Sequence, residues 1–98
     1  MNLQIIGDNF EITESIRFLV QEKIIDKLDK LLIKTPEDLK IASLRIQKNK
    51  IGDFIVNFDM NLPGKTHIYG QASHISFESA LVDLEEEIAT QIKKFRHQ

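Results

Sequence analysis

Residues 54–62, Phe54-Ile55-Val56-Asn57-Phe58-Asp59-Met60-Asn61-Leu62, decide the fold. Phe54, Val56, Phe58, Met60 and Leu62 fall on one side of an extended chain. Asn57, Asp59 and Asn61 fall on the other, with Ile55 among them. A period of two is that of an antiparallel strand with one face buried and one in water. Working outward, Pro63-Gly64 is a hairpin signal, and residues 65–72 return with Ile68, Gly70 and Ala72 alternating with His67, Tyr69 and Gln71. On the other side, Asn49-Lys50-Ile51-Gly52 makes a turn. Before it, residues 40–48 alternate Ala42, Leu44 and Ile46 with Ser43, Arg45 and Gln47.

The flanks change period. In residues 14–33, Ile16, Leu19, Val20, Ile24, Leu28 and Leu31 recur at spacings that place them on one helical stripe. Thr13 is placed to cap that helix, with Glu14 in the first turn where the dipole favours a negative charge. Pro36 disfavours helical geometry at Thr35 and ends the pattern. At the other flank, Phe77, Leu81, Leu84, Ile88, Ile92 and Phe95 make a stripe over 77–95, with Ser76 as its cap. Residues 2–6 carry a short strand signal in Leu3 and Ile5, followed by a turn at Gly7-Asp8-Asn9. The predicted order is β-α-β-β-β-α, an α+β class in which two helices cover one face of a four-stranded sheet. The other face is left polar, with no enclosed pocket.

The chain has 98 residues, which fits one domain over 1–98. It has no cysteine, so disulfides, thiol catalysis and Cys-ligated zinc are excluded. Met1-Asn2-Leu3-Gln4 has no basic region leading into an apolar run, so no signal peptide is visible. Apolar runs such as Leu31-Leu32-Ile33 are far too short to span a bilayer. A cytoplasmic protein without a membrane partner is expected. The net charge is −2, from 13 basic and 15 acidic side chains, so nucleic-acid binding depends on whether the basic groups cluster.

Enzyme signatures are missing. His67, His74 and His97 have no metal-ligand spacing. No Gly-x-Ser-x-Gly elbow and no glycine-rich phosphate loop occur. Asp53 and Asp59 sit on a strand face open to water, poor ground for a raised carboxylate pKa. Neither catalysis, a cofactor nor a small-molecule substrate is expected.

The basic residues are more informative. Lys23, Lys27, Lys30 and Lys34 are spaced 4, 3 and 4 and fall on one edge of the first helix, with Glu22, Asp26 and Asp29 on the opposite flank. Like charges four apart cost a helix about 0.2–0.5 kcal/mol per pair, so a lysine edge points to a polyanionic partner, although charge runs are commonly just solvated faces. Lys93, Lys94, Arg96 and His97 form a second cluster, which the helix dipole alone would favour. Arg45 and Lys48 extend the patch or are simply solvated. His67 and Tyr69 are a thin stacking platform for bases.

The segment Gly7-Asp8-Asn9-Phe10-Glu11-Ile12-Thr13-Glu14-Ser15-Ile16-Arg17 resembles the opening of the hibernation promoting factor and ribosome-associated inhibitor family. Ser79-Ala80-Leu81 and Gln91-Ile92-Lys93-Lys94-Phe95-Arg96 are similar to that family's second helix. The resemblance covers nearly the whole chain. It implies a double-stranded-RNA-binding-like domain that occupies the decoding region of the small ribosomal subunit. Basic residues of both helices would contact 16S rRNA phosphates there and block initiation on idle ribosomes. Lys23 matches a basic family position on the first helix, and Lys94 and Arg96 match basic positions on the second. The chain departs from the pattern at Glu78, Glu87 and Thr90. Lys27-Leu28 stands one residue late, and Glu85-Glu86-Glu87 makes the second helix acidic. These departures shift the expected contact toward the first helix. With no dimerisation domain or tail after the second helix, the short form is the nearer match, and pairing of inactive ribosomes would then require a helper protein. The expected rRNA-binding set is Lys23, Lys27, Lys30, Lys34, Arg45, Lys93, Lys94 and Arg96. Two other readings are an RNA-binding module acting off the ribosome and a protein-interaction domain using the acidic second helix or the open sheet face.

Overall fold

The computed structural model describes residues 1–96. It has the expected β-α-β-β-β-α order. Strand β1 (Asn2–Asp8) pairs in parallel with β2 (Ile41–Lys48). Strands β2 and β3 (Phe54–Leu62) are antiparallel, as are β3 and β4 (Thr66–His74), and the sheet order is β1-β2-β3-β4. The register aligns Ala42, Met60 and Ile68 in one row, Leu44, Phe58 and Gly70 in the next, and Ile46, Val56 and Ala72 in a third. All but Ala72 are buried, so the alternation read from residues 54–62 extends across three strands.

The first helix spans residues 14–31. Thr13 has extended backbone geometry, and its Oγ1 accepts from the Ile16 N–H at 3.3 Å, the expected cap. The helix is not uniform. Glu14–Val20 and Asp26–Leu31 are α-helical, but Gln21–Ile25 between them is a π segment. The buried residues explain it. Val20, Ile24 and Leu28 are fully buried and Leu32 nearly so, each four residues after the last. In an uninterrupted α-helix such a row drifts by about 40° per step. A π turn absorbs one extra residue and keeps Val20, Ile24 and Leu28 over the sheet. Leu32 departs from helical geometry at φ −112°, ψ 29°, so the helix ends two residues before the predicted boundary. A 3₁₀ turn over Glu37–Leu39 leads into β2.

The second helix spans Phe77–Arg96. The Ser76 Oγ accepts from the Ser79 N–H at 3.3 Å, and Phe77, Leu81, Leu84, Ile88 and Ile92 are buried as the stripe predicts. Gly70 lets this helix close on β4: a Cβ there would stand 2.5 Å from the Ile88 Cδ1. The helix also clasps the edge of β4. Gln91 accepts from the Tyr69 N–H at 3.3 Å and donates to the Tyr69 carbonyl at 2.6 Å, filling backbone positions that an added strand would otherwise use. Phe54 meets Phe10 edge-on at 5.7 Å between centroids and Phe77 at 5.6 Å, sealing the end of the core where both helices begin.

Candidate nucleic-acid interface

Both helices follow strands that run in one direction, so they lie side by side with their starts at one end of the domain and their ends at the other. Lys23 of the first helix contacts Glu78 at the start of the second. The segment after the first helix shares a cleft of about 290 Å³ with Phe95 and Arg96. Two helix C-termini, each carrying partial negative charge, therefore converge. Cations gather there: Lys34 and Arg96 line the cleft, and Lys93 and Lys94 stand exposed on the last turn of the second helix. Lys27 and Lys30 are exposed on the last stretch of the first helix. None of these six cations has a carboxylate within 4.0 Å among the described residues.

The structure treats the other expected residues differently. Lys34 lies beyond the helix end, so the four-lysine edge is partly a turn. Lys23 sits in the π segment, 22% exposed, with its Nζ 3.3 Å from Glu22 Oε1 and 3.2 Å from Glu78 Oε1. These hydrogen bonds, Glu78 first, raise its pKa above 10.5. Arg45 lies between the buried Leu44 and Ile46 and so points to the sheet face away from the helices. It donates to Asp8 Oδ1 at 2.7 Å. On that same face His67 pairs with Asp59 at 2.7 Å, and the Tyr69 hydroxyl donates to Asn57 Oδ1 at 3.2 Å. Arg45 with Asp8, His67 with Asp59 and Tyr69 with Asn57 thus form three pairs across this face. Lys48 lies 5.0 Å from the centroid of the Phe54 ring. His74 accepts from the Ser76 N–H at 3.0 Å through Nδ1, and His97 lies outside the described residues. Among the described residues, no group of three or more His, Asp or Glu side chains is placed to hold a metal ion, and no helix is long and apolar enough to cross a membrane.

Sequence reasoning missed Lys40. It is buried at 4% exposure, with its Nζ 2.9 Å from Glu37 Oε1 and 3.4 Å from Asp29 Oδ1. The Met1 amine joins the same two carboxylates. Hydrogen bonds from that amine and then from Lys40 hold the Glu37 carboxyl at about 2. The Glu37 bond raises the Lys40 pKa, outweighing the opposing effect of burial. The cluster fastens the end of the first helix to the starts of β1 and β2. Its one local signal is the three-residue spacing from Glu37 to Lys40 after Pro36.

Known proteins share this fold. The N-terminal domain of Protein Y from Thermus thermophilus superposes with a TM-score of 0.82 at 25% identity, over 98% of this chain and 100% of that one. A ribosomal subunit interface protein from Coxiella burnetii superposes with a TM-score of 0.78 at 24% identity, over 100% of both chains; at that identity the likeness is one of fold. No match was found among curated proteins. The family model described as sigma 54 modulation protein / S30EA ribosomal protein matches residues 3–98. With that match spanning all but two residues and the fold in agreement, the chain belongs to the sigma 54 modulation protein / S30EA ribosomal protein family.

Proposed function

We propose that this chain is a single ribosome-binding domain that docks on the small ribosomal subunit and holds idle ribosomes inactive. The observation that carries the reading is the cation-rich end where the two helices finish. Lys27, Lys30, Lys34, Lys93, Lys94 and Arg96 project there without carboxylate partners among the described residues. On a chain whose net charge is −2, such segregation gives a local positive potential that ribosomal phosphates can use. Membership in a ribosomal protein family supports the choice of partner.

The mechanism is occlusion. The domain is a two-layer body with its helices side by side on one face of the sheet, so its contribution is to fill space. Seated through its cations on 16S rRNA in the decoding region, it would exclude messenger and transfer RNA. On the family resemblance, pairing of inactive ribosomes would require a helper protein. Such a protein works in the cytoplasm. Cosedimentation with purified small and large subunits across a salt series tests the reading. Retention on small subunits, lost steeply as salt rises, is expected. A salt-insensitive association, or none with small subunits in dilute buffer, refutes it.

A further inference from the structure

The inter-helix surface is electrically divided. Among the described residues its far end carries cations with no carboxylate within 4.0 Å, whereas beside the start of the second helix one lysine is held between two carboxylates. Glu22 is adjacent to Lys23 in sequence, but Glu78 comes from the other helix, and its carboxylate is 56% exposed. It has no structural need of the lysine for solvation. Glu78 also lies in the first turn of its helix, where a negative charge is favoured without a lysine partner. With two carboxylates within 3.3 Å, the Lys23 ammonium is locally over-neutralised. An approaching phosphate meets net negative charge unless one carboxylate is displaced.

We propose that Glu78 is a specificity-determining residue that acts through Lys23, withholding this cation from phosphates that cannot displace the Glu78 carboxylate. The inference rests on the small-subunit reading above and extends it to selectivity. Phosphates fixed in place by folded RNA can offer Lys23 a substitute partner on docking. A mobile or misplaced phosphate would have to separate the pair first. Specificity then comes partly from a repulsive element placed beside the binding cations. The acidic residue that departs from the family pattern is, on this view, a tuning device at the edge of the interface.

The test uses four full-length proteins: the wild type, Glu78→Gln, Lys23→Gln and the double variant. Binding to purified small subunits is measured across a salt series, with circular dichroism melting to confirm that each is folded. Glu78→Gln should bind about two- to fivefold more tightly, the range of an exposed ion pair. Its salt slope on small subunits should match the wild type, since Lys23 engages phosphate there in both proteins, whereas its slope on a single-stranded RNA should steepen by about 0.7–0.9 as Lys23 becomes available. The double variant should bind as Lys23→Gln does, because the carboxylate acts only through the lysine. Unchanged binding by Glu78→Gln overturns the inference. So does an equal tightening in the Lys23→Gln background, which would reduce the effect to overall charge. If none of the four proteins associates with small subunits, the ribosomal reading fails, and the inference with it.

Discussion

Replacing Lys27, Lys30 and Lys34 together by glutamine should halve the salt dependence of small-subunit binding. The three side chains are exposed and unpaired among the described residues, and glutamine has nearly the helix propensity of lysine, so the fold should be unaffected. If all six cations at the helix ends meet phosphates, at about 0.7–0.9 ions each, the wild-type log–log slope is roughly −4 to −5.5. Raising salt fourfold, from about 50 to about 200 mM, then costs about 2.5–3.3 decades of affinity. The triple variant retains three contacts, a slope of about −2 to −2.7, and loses only about 1.3–1.6 decades over the same interval. The assay is equilibrium binding to fluorescently labelled small subunits at five or more salt concentrations, with melting curves showing equal stability. A triple variant whose slope stays within about half a unit of the wild type would refute the reasoning, since those lysines would then not be meeting phosphates.

Four further outcomes are expected. Gly70→Ala places a Cβ against Ile88 in a filled core and should cost about 1–3 kcal/mol; Ile88→Val in the same protein should restore part of it, as denaturant melts of the two single variants and the double variant will show. Leu28→Ala, at a fully buried position, should cost about 2–5 kcal/mol in the same melts. Glu37, held at about 2 against an ordinary 4.5, binds its proton less readily when folded. Its stabilising contribution is therefore complete above about pH 4.5 and fades as pH falls toward 2; the stabilities of Glu37→Gln and the wild type should converge over that interval in acid melts, and a constant gap would count against the ion-pair cluster. Gln91→Ala frees the Tyr69 backbone groups and should raise the rate of self-association in light scattering at high concentration.

Much of this architecture is legible in the sequence because it follows from periodicity. The alternation through residues 54–62, apart from the half-buried Phe54, and the stripe from Phe77 to Ile92 map directly onto the buried residues. Both helix caps, Thr13 and Ser76, are local signals and appear where expected. Arg45 was readable too: alternation with Leu44 and Ile46 already assigns it to the face opposite the helices. What escaped was tertiary. Lys23 meets Glu78, 55 residues away, only because the helices lie side by side. Lys40 reads as a loop cation until Asp29 and Glu37 surround it. The π segment was concealed because Leu19 and Leu31 offered a regular alternative stripe, while the deeper residues keep a strict spacing of four. The candidate site was thus legible as a set of charges but not as a division between free and neutralised ones.

The wide turn at Gln21–Ile25 has a consequence for how the family can diverge. One residue removed there would let the chain relax into ordinary helix while everything downstream kept its facing, because the wide turn spreads one extra residue over the same rotation. Length in this stretch is therefore less constrained than composition, and a one-residue alignment gap falling within it would mark a relative with a straighter helix that presents the same faces.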